Sequence, residues 1–157
     1  MSTADRAEPS EAVNSEFEDF HGFINEWFRG ECPEDEELFE QRHASHLAEG
    51  FQIILPDGSV LDRDGLIGLI RKLYGKNPSF KKQIRNVQLR PMKCKGYSLV
   101  NYEEWQKGAA NYKPPNHARQ VSAVLKVEPG DPVRLKWLQI HETKMPEEAT
   151  AGDPFDF

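Results

Sequence analysis

The sequence predicts an α+β domain in which three N-terminal helices pack on a curved antiparallel sheet. In the first half of the chain, apolar residues such as Phe17, Phe20 and Ile24 recur at steps of three and four, the spacing of one helix face. From Phe80 onward the apolar period changes to two, which is typical of strands. Helices that precede a run of strands joined by short loops indicate an α+β layout, with the helices on one face of the sheet.

Three helices are predicted before the sheet. The first begins at Ser15, which can cap it, and ends at Gly30. The second begins at Pro33, which suits a first helical turn and precedes four acidic residues, and it runs to about position 48. The third begins after Asp62, an N-cap residue, and stops at Gly75.

The strands are predicted from alternation and from turn residues. A β-like run at 51–55 is followed by a turn at 56–59, and 60–61 can pair back as a small hairpin. Segments rich in Pro, Gly and Asn then separate four long strands joined as an antiparallel meander. These strands are expected at about 80–92, 96–107, 118–128 and 133–144.

The 157 residues predict one domain, since a chain of this length buries enough surface to fold without a metal or a disulfide. Residues 1–14 are rich in Ala, Ser and Glu and are expected to be disordered. The domain is expected to span 15–145. An acidic, flexible tail is expected over 146–157, although Phe155 and Phe157 could also dock on a neighbouring surface.

The composition argues against several classes of function. A net charge of −6 disfavours nucleic-acid and anionic-membrane partners, which bind basic proteins. No apolar run approaches the ~20 residues that span a bilayer, and the polar N-terminus lacks the apolar core of a secretory signal. Cys32 and Cys94 are isolated, which favours reduced thiols in a cytoplasmic protein over a disulfide or a metal site.

The order of two helices, a hairpin, a third helix and a four-strand meander resembles the nuclear transport factor 2-like superfamily. FQIILPDG at 51–58 is similar to the hairpin of SnoaL-like and uncharacterised bacterial members, and YEEWQ at 102–106 is similar to their second long strand. WLQIHET at 137–143 is similar to their last strand and to that of the calcium/calmodulin-dependent protein kinase II association domain. The resemblance covers residues 15–145.

This resemblance implies a cone-shaped fold with a pocket between the concave sheet and the helices. It also implies homodimers that form through the outer face of the sheet, so a homodimer is expected. Members include isomerases, dehydratases, polyketide cyclases, transport factors and oligomerisation hubs. The resemblance therefore implies no single activity, and function has to follow from the residues of the pocket.

The last predicted strand carries the main candidates for a binding site. If the two-residue alternation holds, Trp137, Gln139 and His141 share one face, where an aromatic surface lies beside two polar groups that can orient a small ligand. We expect these three residues to line the pocket together with Trp27 of the first helix. Alternatively, His141 is a hydrogen-bonded structural residue at a subunit interface.

Charged residues on the neighbouring strands could supply chemistry. Arg119 could bind a carboxylate in a bidentate geometry, or it could lie exposed at the end of its strand. One of Glu103 and Glu104 is expected to face the pocket, where burial would raise its pKa and suit it to act with His141 as base and acid. The first helix contains no Tyr that could serve as the donor of a ketosteroid-isomerase-like site, so that mechanism is not transferred.

The histidines of the helices are the remaining candidates for metal ligands. His43 and His46 lie three positions apart on the predicted second helix, with His21 on the first, and could share a metal. They lack an HExxH context and a nearby Cys, so no metal is expected, and the sequence contains no nucleotide-binding motif that would imply a cofactor.

Together these observations predict a cytoplasmic, homodimeric protein that binds a small, partly apolar molecule and has no nucleic-acid or membrane partner. The candidate ligand-binding residues are Trp27, Arg119, Trp137, Gln139 and His141. The alternative is an isomerase, dehydratase or cyclase that uses a strand glutamate with His141. A second alternative is an oligomerisation hub whose pocket is vestigial.

Overall fold

A computed structural model of the protein, which describes residues 10–90 and 92–157, confirms the predicted α+β class. The helices are α1 (Glu11–Arg29), α2 (Glu36–Arg42), α3 (Arg63–Lys72) and α4 (Glu147–Thr150). The strands are β1 (Leu47–Ile54), β2 (Val60–Asp62), β3 (Lys81–Arg90), β4 (Tyr97–Lys107), β5 (His117–Glu128) and β6 (Arg134–Lys144). Within the described residues, no helix is both long enough and apolar enough to cross a membrane.

The strands form one sheet in the order β2-β1-β6-β5-β4-β3. Strands β3 to β6 are the predicted antiparallel meander. Strand β1 pairs antiparallel with β2 but parallel with β6, so the sheet is mixed rather than wholly antiparallel. Between β1 and β6 the chain passes through β2, α3 and β3 to β5, and a connection of this length allows the two strands to pair in parallel.

The ends of α1 and α3 follow from their capping residues. Ser10, rather than Ser15, is the N-cap of α1, and its hydroxyl oxygen accepts the N–H of Val13 at 3.3 Å. Residues 11–14 are therefore helical, and residues 1–9 of the segment expected to be disordered lie outside the described residues. Gly30 caps the end of α1, and Asp62 caps the start of α3, as predicted.

Helix α2 is shorter than the sequence pattern predicts. Its N-cap is Asp35, whose carboxylate accepts the N–H of Glu37 at 2.7 Å. After α2, a 3-10 turn (Ala44–His46) leads directly into β1. Leu47 and Ala48, expected to belong to the helix, are instead buried at the start of β1, because packing against β6 outweighs the local helical pattern.

Two buried tryptophans join the helices to each other and to the sheet. Trp27 donates from Nε1 to the carbonyl oxygen of Ile70 at 2.9 Å, which links α1 to α3. Trp137 donates from Nε1 to Oε1 of Glu16 at 2.9 Å, which links β6 to α1. Each indole thus satisfies its one polar atom inside the core while the ring fills space there.

A bulge interrupts β6 at Leu138. Two consecutive residues of β5, Val124 and Leu125, oppose Gln139 and Trp137, so that Leu138 is an extra residue on β6. The pairing of β1 with β6 is irregular at the same level. An extra residue of this kind bends the strand and reverses which sequence positions face inwards beyond it.

Residues 146–157, which the sequence predicts to be a flexible tail, form α4 and a segment packed on the outer face of the sheet. Asp153 pairs with Arg85 of β3 at 2.9 Å. The ring centroid of Phe155 lies 5.2 Å from that of Trp105, and the guanidinium of Arg85 lies 4.0 Å from the same indole. Trp105 is consequently buried although its side chain lies on the outer face.

Candidate functional site

A cavity of about 980 Å³ lies between the concave face of the sheet and helices α1 and α3. Its volume is at the upper end of the range of ~300–1,000 Å³ that small-molecule sites occupy. Most of the wall is aromatic or aliphatic. The apolar side chains that line it include Phe20, Ile24, Phe28, Ile53, Leu66, Leu69, Ile70, Leu73, Phe80 and Ile140.

Polar side chains enter the same cavity from four adjacent strands. Alternation along β4 brings three of them to one face, because residues two apart on a strand point the same way. Across the ladders, Lys82 opposes Gln106 and Glu104 opposes Arg119. The polar residues contributed by the sheet are Lys82, Tyr102, Glu104, Gln106, Arg119 and Glu142.

Two ion pairs and one amide connect these strands inside the cavity wall. Arg119 Nη1 lies 3.2 Å from Glu142 Oε2, and Lys82 Nζ lies 3.8 Å from Glu104 Oε1. Gln106 joins the two pairs, because its Nε2 donates to Glu104 Oε1 at 2.5 Å and its Oε1 accepts from Arg119 Nη2 at 3.5 Å. The cluster therefore holds two basic and two acidic side chains in one buried network.

The two glutamates of the cluster have opposite pKa shifts. Burial and the charge of Glu104 raise the pKa of Glu142 to about 7, and Arg119 offsets only part of this. For Glu104, burial also favours the neutral acid, but the charges of Lys82 and Arg119, with a smaller effect of the hydrogen bond from Gln106, outweigh it and hold the pKa below its ordinary value of 4.5. Near neutral pH, Glu104 is a carboxylate and Glu142 can carry or release a proton, a separation typical of acid and base roles.

Three side chains on the cavity wall have buried polar atoms without a hydrogen-bond partner among the described residues: the hydroxyl of Tyr102 and both ring nitrogens of His21 and His43. Burial lowers the pKa of both histidines, that of His43 to about 3, so each is a neutral imidazole with one donor and one acceptor. Burial raises the pKa of Tyr102, which stays a phenol. An unpaired buried polar atom costs about 1–3 kcal/mol, so these atoms favour a polar group inside the cavity.

The loop between β4 and β5 forms part of the cavity rim. It begins at Gly108, whose φ is +65° and where a β-carbon would lie 2.4 Å from the carbonyl oxygen of Ser79, so only glycine fits. Tyr112 of this loop stacks on His117 with ring centroids 4.2 Å apart. His117 Nε2 accepts from Arg119 Nε at 3.1 Å, which fixes the guanidinium at the inner side of the rim.

Of the ligand-binding residues predicted from the sequence, Arg119 lines the cavity. Trp27 and Trp137 do not line it, because the hydrogen bonds described above hold both indoles in the core. The prediction that Gln139 and His141 face the cavity is wrong. Gln139 is half-buried at the bulge, and His141 is exposed on the outer face.

The extra residue at Leu138 is the physical reason for this correction, since it places Ile140 and Glu142 on the inner face in place of their neighbours. Of the two glutamates on β4, Glu104 faces the cavity, whereas Glu103 lies on the outer face and accepts a hydrogen bond from Asn86. His141 and Glu104 therefore lie on opposite faces of the sheet and cannot act together on one ligand.

Sequence reasoning missed Glu142, Tyr102, Lys82 and the role of His21. One signal for Glu142 was available: an inward-facing Arg119 needs a carboxylate partner, and the neighbouring last strand has a single acidic residue. Tyr102 shares the parity of Glu104 and follows once that glutamate is placed inwards. For Lys82 the available signal was its parity, since it lies two positions after the apolar Phe80, whereas Lys81 has the opposite parity.

The histidines of the predicted second helix are separated by the structure. His43 faces the cavity, whereas Nδ1 of His46 lies 2.7 Å from Oε1 of Glu16, outside the cavity. Over residues 10–90 and 92–157, no three His, Cys, Asp or Glu side chains are grouped so that they could hold a metal ion.

Neither a protein-family model nor a curated protein matches this chain. Solved structures do. A nuclear transport factor 2-like protein of unknown function from Pseudomonas aeruginosa is 26% identical over 86% of this chain and 99% of its own, with a TM-score of 0.73. A nuclear transport factor 2-like protein from Cytophaga hutchinsonii is 14% identical over 92% and 100%, with a TM-score of 0.63. A putative dehydratase from the same family, from Streptomyces avermitilis, is 14% identical over 86% and 95%, with a TM-score of 0.62.

Proposed function

We propose that this chain, which has the fold of the nuclear transport factor 2-like proteins, binds a small, mostly apolar molecule with one oxygen-containing polar end. The apolar part of the ligand would pack against α1 and α3. The polar end would meet Tyr102 and His21 beside the charged cluster. The superfamily includes proteins with many activities, so the proposal rests on the cavity and not on the fold.

The unpartnered Tyr102 hydroxyl is the observation that carries this proposal. It is buried on the wall of the cavity and has no partner among the described residues. A ligand oxygen that accepted its O–H, or donated to it, would remove the cost of leaving that group unpaired. His21 offers a second such site, since its neutral ring can donate from one nitrogen and accept at the other.

Octanol is a suitable probe because it combines an apolar chain with one hydroxyl. We expect it to bind, as measured by isothermal titration calorimetry, and Tyr102→Phe to weaken binding about five- to tenfold, the equivalent of one hydrogen bond. Tyr97→Phe is the matched control, since Tyr97 is exposed. His141→Ala should also leave the affinity unchanged. Absence of octanol binding, or equal losses in Tyr102→Phe and Tyr97→Phe, would contradict the proposal.

A second candidate function is acid–base catalysis on a carbonyl compound, favoured by the raised pKa of Glu142. A group that titrates near the working pH transfers protons efficiently in both directions. In an isomerisation, Glu142 as carboxylate would take a proton from the carbon beside the carbonyl and return it elsewhere, while Tyr102 donates to the carbonyl oxygen. In a dehydration, the protonated form would donate to the leaving hydroxyl. The putative dehydratase with this fold is consistent with that class.

A short-chain β-hydroxy ketone tests the second candidate. Its dehydration gives a conjugated ketone that absorbs ultraviolet light, so turnover is measured directly. We expect Glu142→Gln to lower the rate at least about a hundredfold, the contribution of general acid–base catalysis. Glu128→Gln, at the far end of the sheet in a surface pair with Lys136, is the control. No turnover by the wild-type protein would leave binding as the function of the cavity.

A further inference from the structure

We propose that Lys82 is a nucleophile that forms an imine with an aldehyde or ketone held in the cavity. The inference rests on the proposed function, because the carbonyl compound has to occupy the same cavity as the apolar ligand. It adds a covalent step and narrows the ligand class to apolar carbonyl compounds.

The position of Lys82 is fixed by its main chain. Asn25 of α1 binds that main chain in both directions, because the N–H of Lys82 donates to Asn25 Oδ1 at 2.8 Å and Asn25 Nδ2 donates to the carbonyl oxygen of Lys82 at 3.2 Å. The side chain then points to the inner face, where it lines the cavity and is only 8% exposed. The adjacent Lys81 points the other way and is exposed. Helix α1 thus holds the main chain of β3 in place at Lys82, the residue whose amine enters the cavity.

The amine of Lys82 is only loosely paired. Its distance of 3.8 Å to Glu104 Oε1 is too long for a hydrogen bond. That oxygen already accepts the short hydrogen bond from Gln106. Arg119 differs, since its three nitrogens contact His117, Glu142 and Gln106. Of the two cations in the buried cluster, Lys82 is therefore the one whose nitrogen can approach a ligand.

Burial favours the reactive form of this amine. It lowers the pKa of Lys82, and the nearby charges of Glu104 and Glu142 offset only part of the effect. A lower pKa raises the fraction of free amine at neutral pH, and a desolvated lysine in an apolar site is a recognised way of activating this nucleophile.

The step balances with the groups present. Lys82 passes one proton to Glu104, and its nitrogen then attacks the carbonyl carbon, so that a C–N bond forms and the C–O π electrons move to oxygen. Glu142 protonates that oxygen and regains a proton from the new N–H. Glu104 returns its proton to the hydroxyl, the C–O bond breaks, and water leaves. The net change converts an ammonium and a carbonyl into a protonated imine and water, without oxidant or reductant.

Octanal with sodium cyanoborohydride tests this step, since the reagent reduces an imine to a stable secondary amine. Peptide mass mapping should show Lys82 gaining the mass of the aldehyde minus one oxygen atom, at least about tenfold faster than Lys81. Excess octanol should slow labelling of Lys82 and leave Lys81 unaffected. Lys82→Met should lose this labelling and Lys81→Met should retain it. Lys82→Arg keeps the charge without the nucleophilic amine, and it should lose the labelling as Lys82→Met does.

The outcomes separate the two proposals. If octanal competes with octanol for the cavity but Lys82 is not modified, the imine is excluded and ligand binding stands. If neither compound binds, the proposed function is excluded as well. Labelling of Lys82 that octanol does not slow would also overturn the inference, because it would show a reactive surface amine instead of a cavity site.

Discussion

The guanidinium of Arg119 and the carboxyl group of Glu142 lie 3.2 Å apart on neighbouring strands, and each side chain is less than a tenth exposed. Transferring such groups from water costs several kcal/mol each, and the contact offsets this only when the remaining hydrogen bonds are also made. Arg119 makes them to His117 and Gln106. The pair is therefore the centre of a network that positions the polar end of the cavity.

Removing one member of this pair should destabilise the fold. We expect Arg119→Met to lower the free energy of unfolding by about 3 kcal/mol or more, because buried carboxyl groups lose their cation. Arg71→Met is the control: Arg71 pairs with Glu36 at 2.6 Å, but the two side chains are 44% and 69% exposed, so about 1 kcal/mol or less is expected. Urea unfolding measures both. Equal decreases in the free energy of unfolding would show that the buried pair contributes no more to stability than the exposed pair.

Stability should depend on pH through Glu142. Its pKa is about 7 in the folded protein and 4.5 ordinarily, so between these values the folded state binds a proton that the unfolded state has lost. The wild type therefore loses stability relative to Glu142→Gln as pH rises through this window, while the buried histidines, whose pKa values are lowered, act equally in both proteins. Between about pH 5 and pH 8, the free energy of unfolding of Glu142→Gln should rise by up to about 3 kcal/mol relative to that of the wild type.

Urea unfolding of both proteins at the two pH values measures this difference. Glu104 does not interfere, because its pKa is lowered and its contribution is lost only as pH falls below its ordinary value of 4.5. A wild type whose stability rose relative to Glu142→Gln over the same range would show that Glu142 is ionised throughout.

The cavity mouth should contribute to affinity through Leu69. This side chain is 43% exposed and lines the cavity, so a ligand would cover apolar surface that is open to water. We expect Leu69→Asn to weaken octanol binding about fivefold, which corresponds to roughly 1 kcal/mol of apolar burial. Val60→Asn is the control, since Val60 is also exposed but lies on β2 away from the cavity. The same loss in both variants would indicate a general effect on the protein.

The C-terminal segment should shield Trp105 from solvent. Phe155→Ala removes the ring that packs on this indole, so acrylamide should quench the tryptophan fluorescence more strongly than in the wild type. Trp27 and Trp137 are fully buried in the core, which leaves Trp105 as the source of the change. Asp156→Ala, at an exposed neighbouring position, should leave quenching as it is. Unchanged quenching in Phe155→Ala would mean that the segment does not cover Trp105.

Much of the fold could be predicted from local chemistry. The four long strands were predicted because their alternation is regular and Pro and Gly separate them, and Gly30 and Asp62 mark helix ends by their conformational and capping preferences. The start of β1 could not be predicted, because Leu47 becomes a strand residue only through its pairing with Trp137 of β6. That pairing joins positions far apart in the sequence.

The candidate site was harder to predict than the fold, for one main reason. The bulge at Leu138 has no Gly or Pro to mark it, so alternation counted from Trp137 assigns His141 to the wrong face. Glu104 and Arg119 lie on strands without an irregularity between them, and for these the alternation holds. Lys82 shares the parity of Phe80, but the contact of its main chain with Asn25 of α1 is supplied only by the folded chain.

The pairing of β1 with β6 and the pairing of β5 with β6 are both irregular between Trp137 and Gln139, so the sheet bends there. Gly50 lies in this stretch of β1 with φ +82°, and a β-carbon there would meet no other atom within 4 Å. A larger residue at Gly50 would therefore strain the backbone without any steric clash. Gly50 does not line the cavity, so a substitution there is expected to act through the backbone of β1 and not through contact with a ligand.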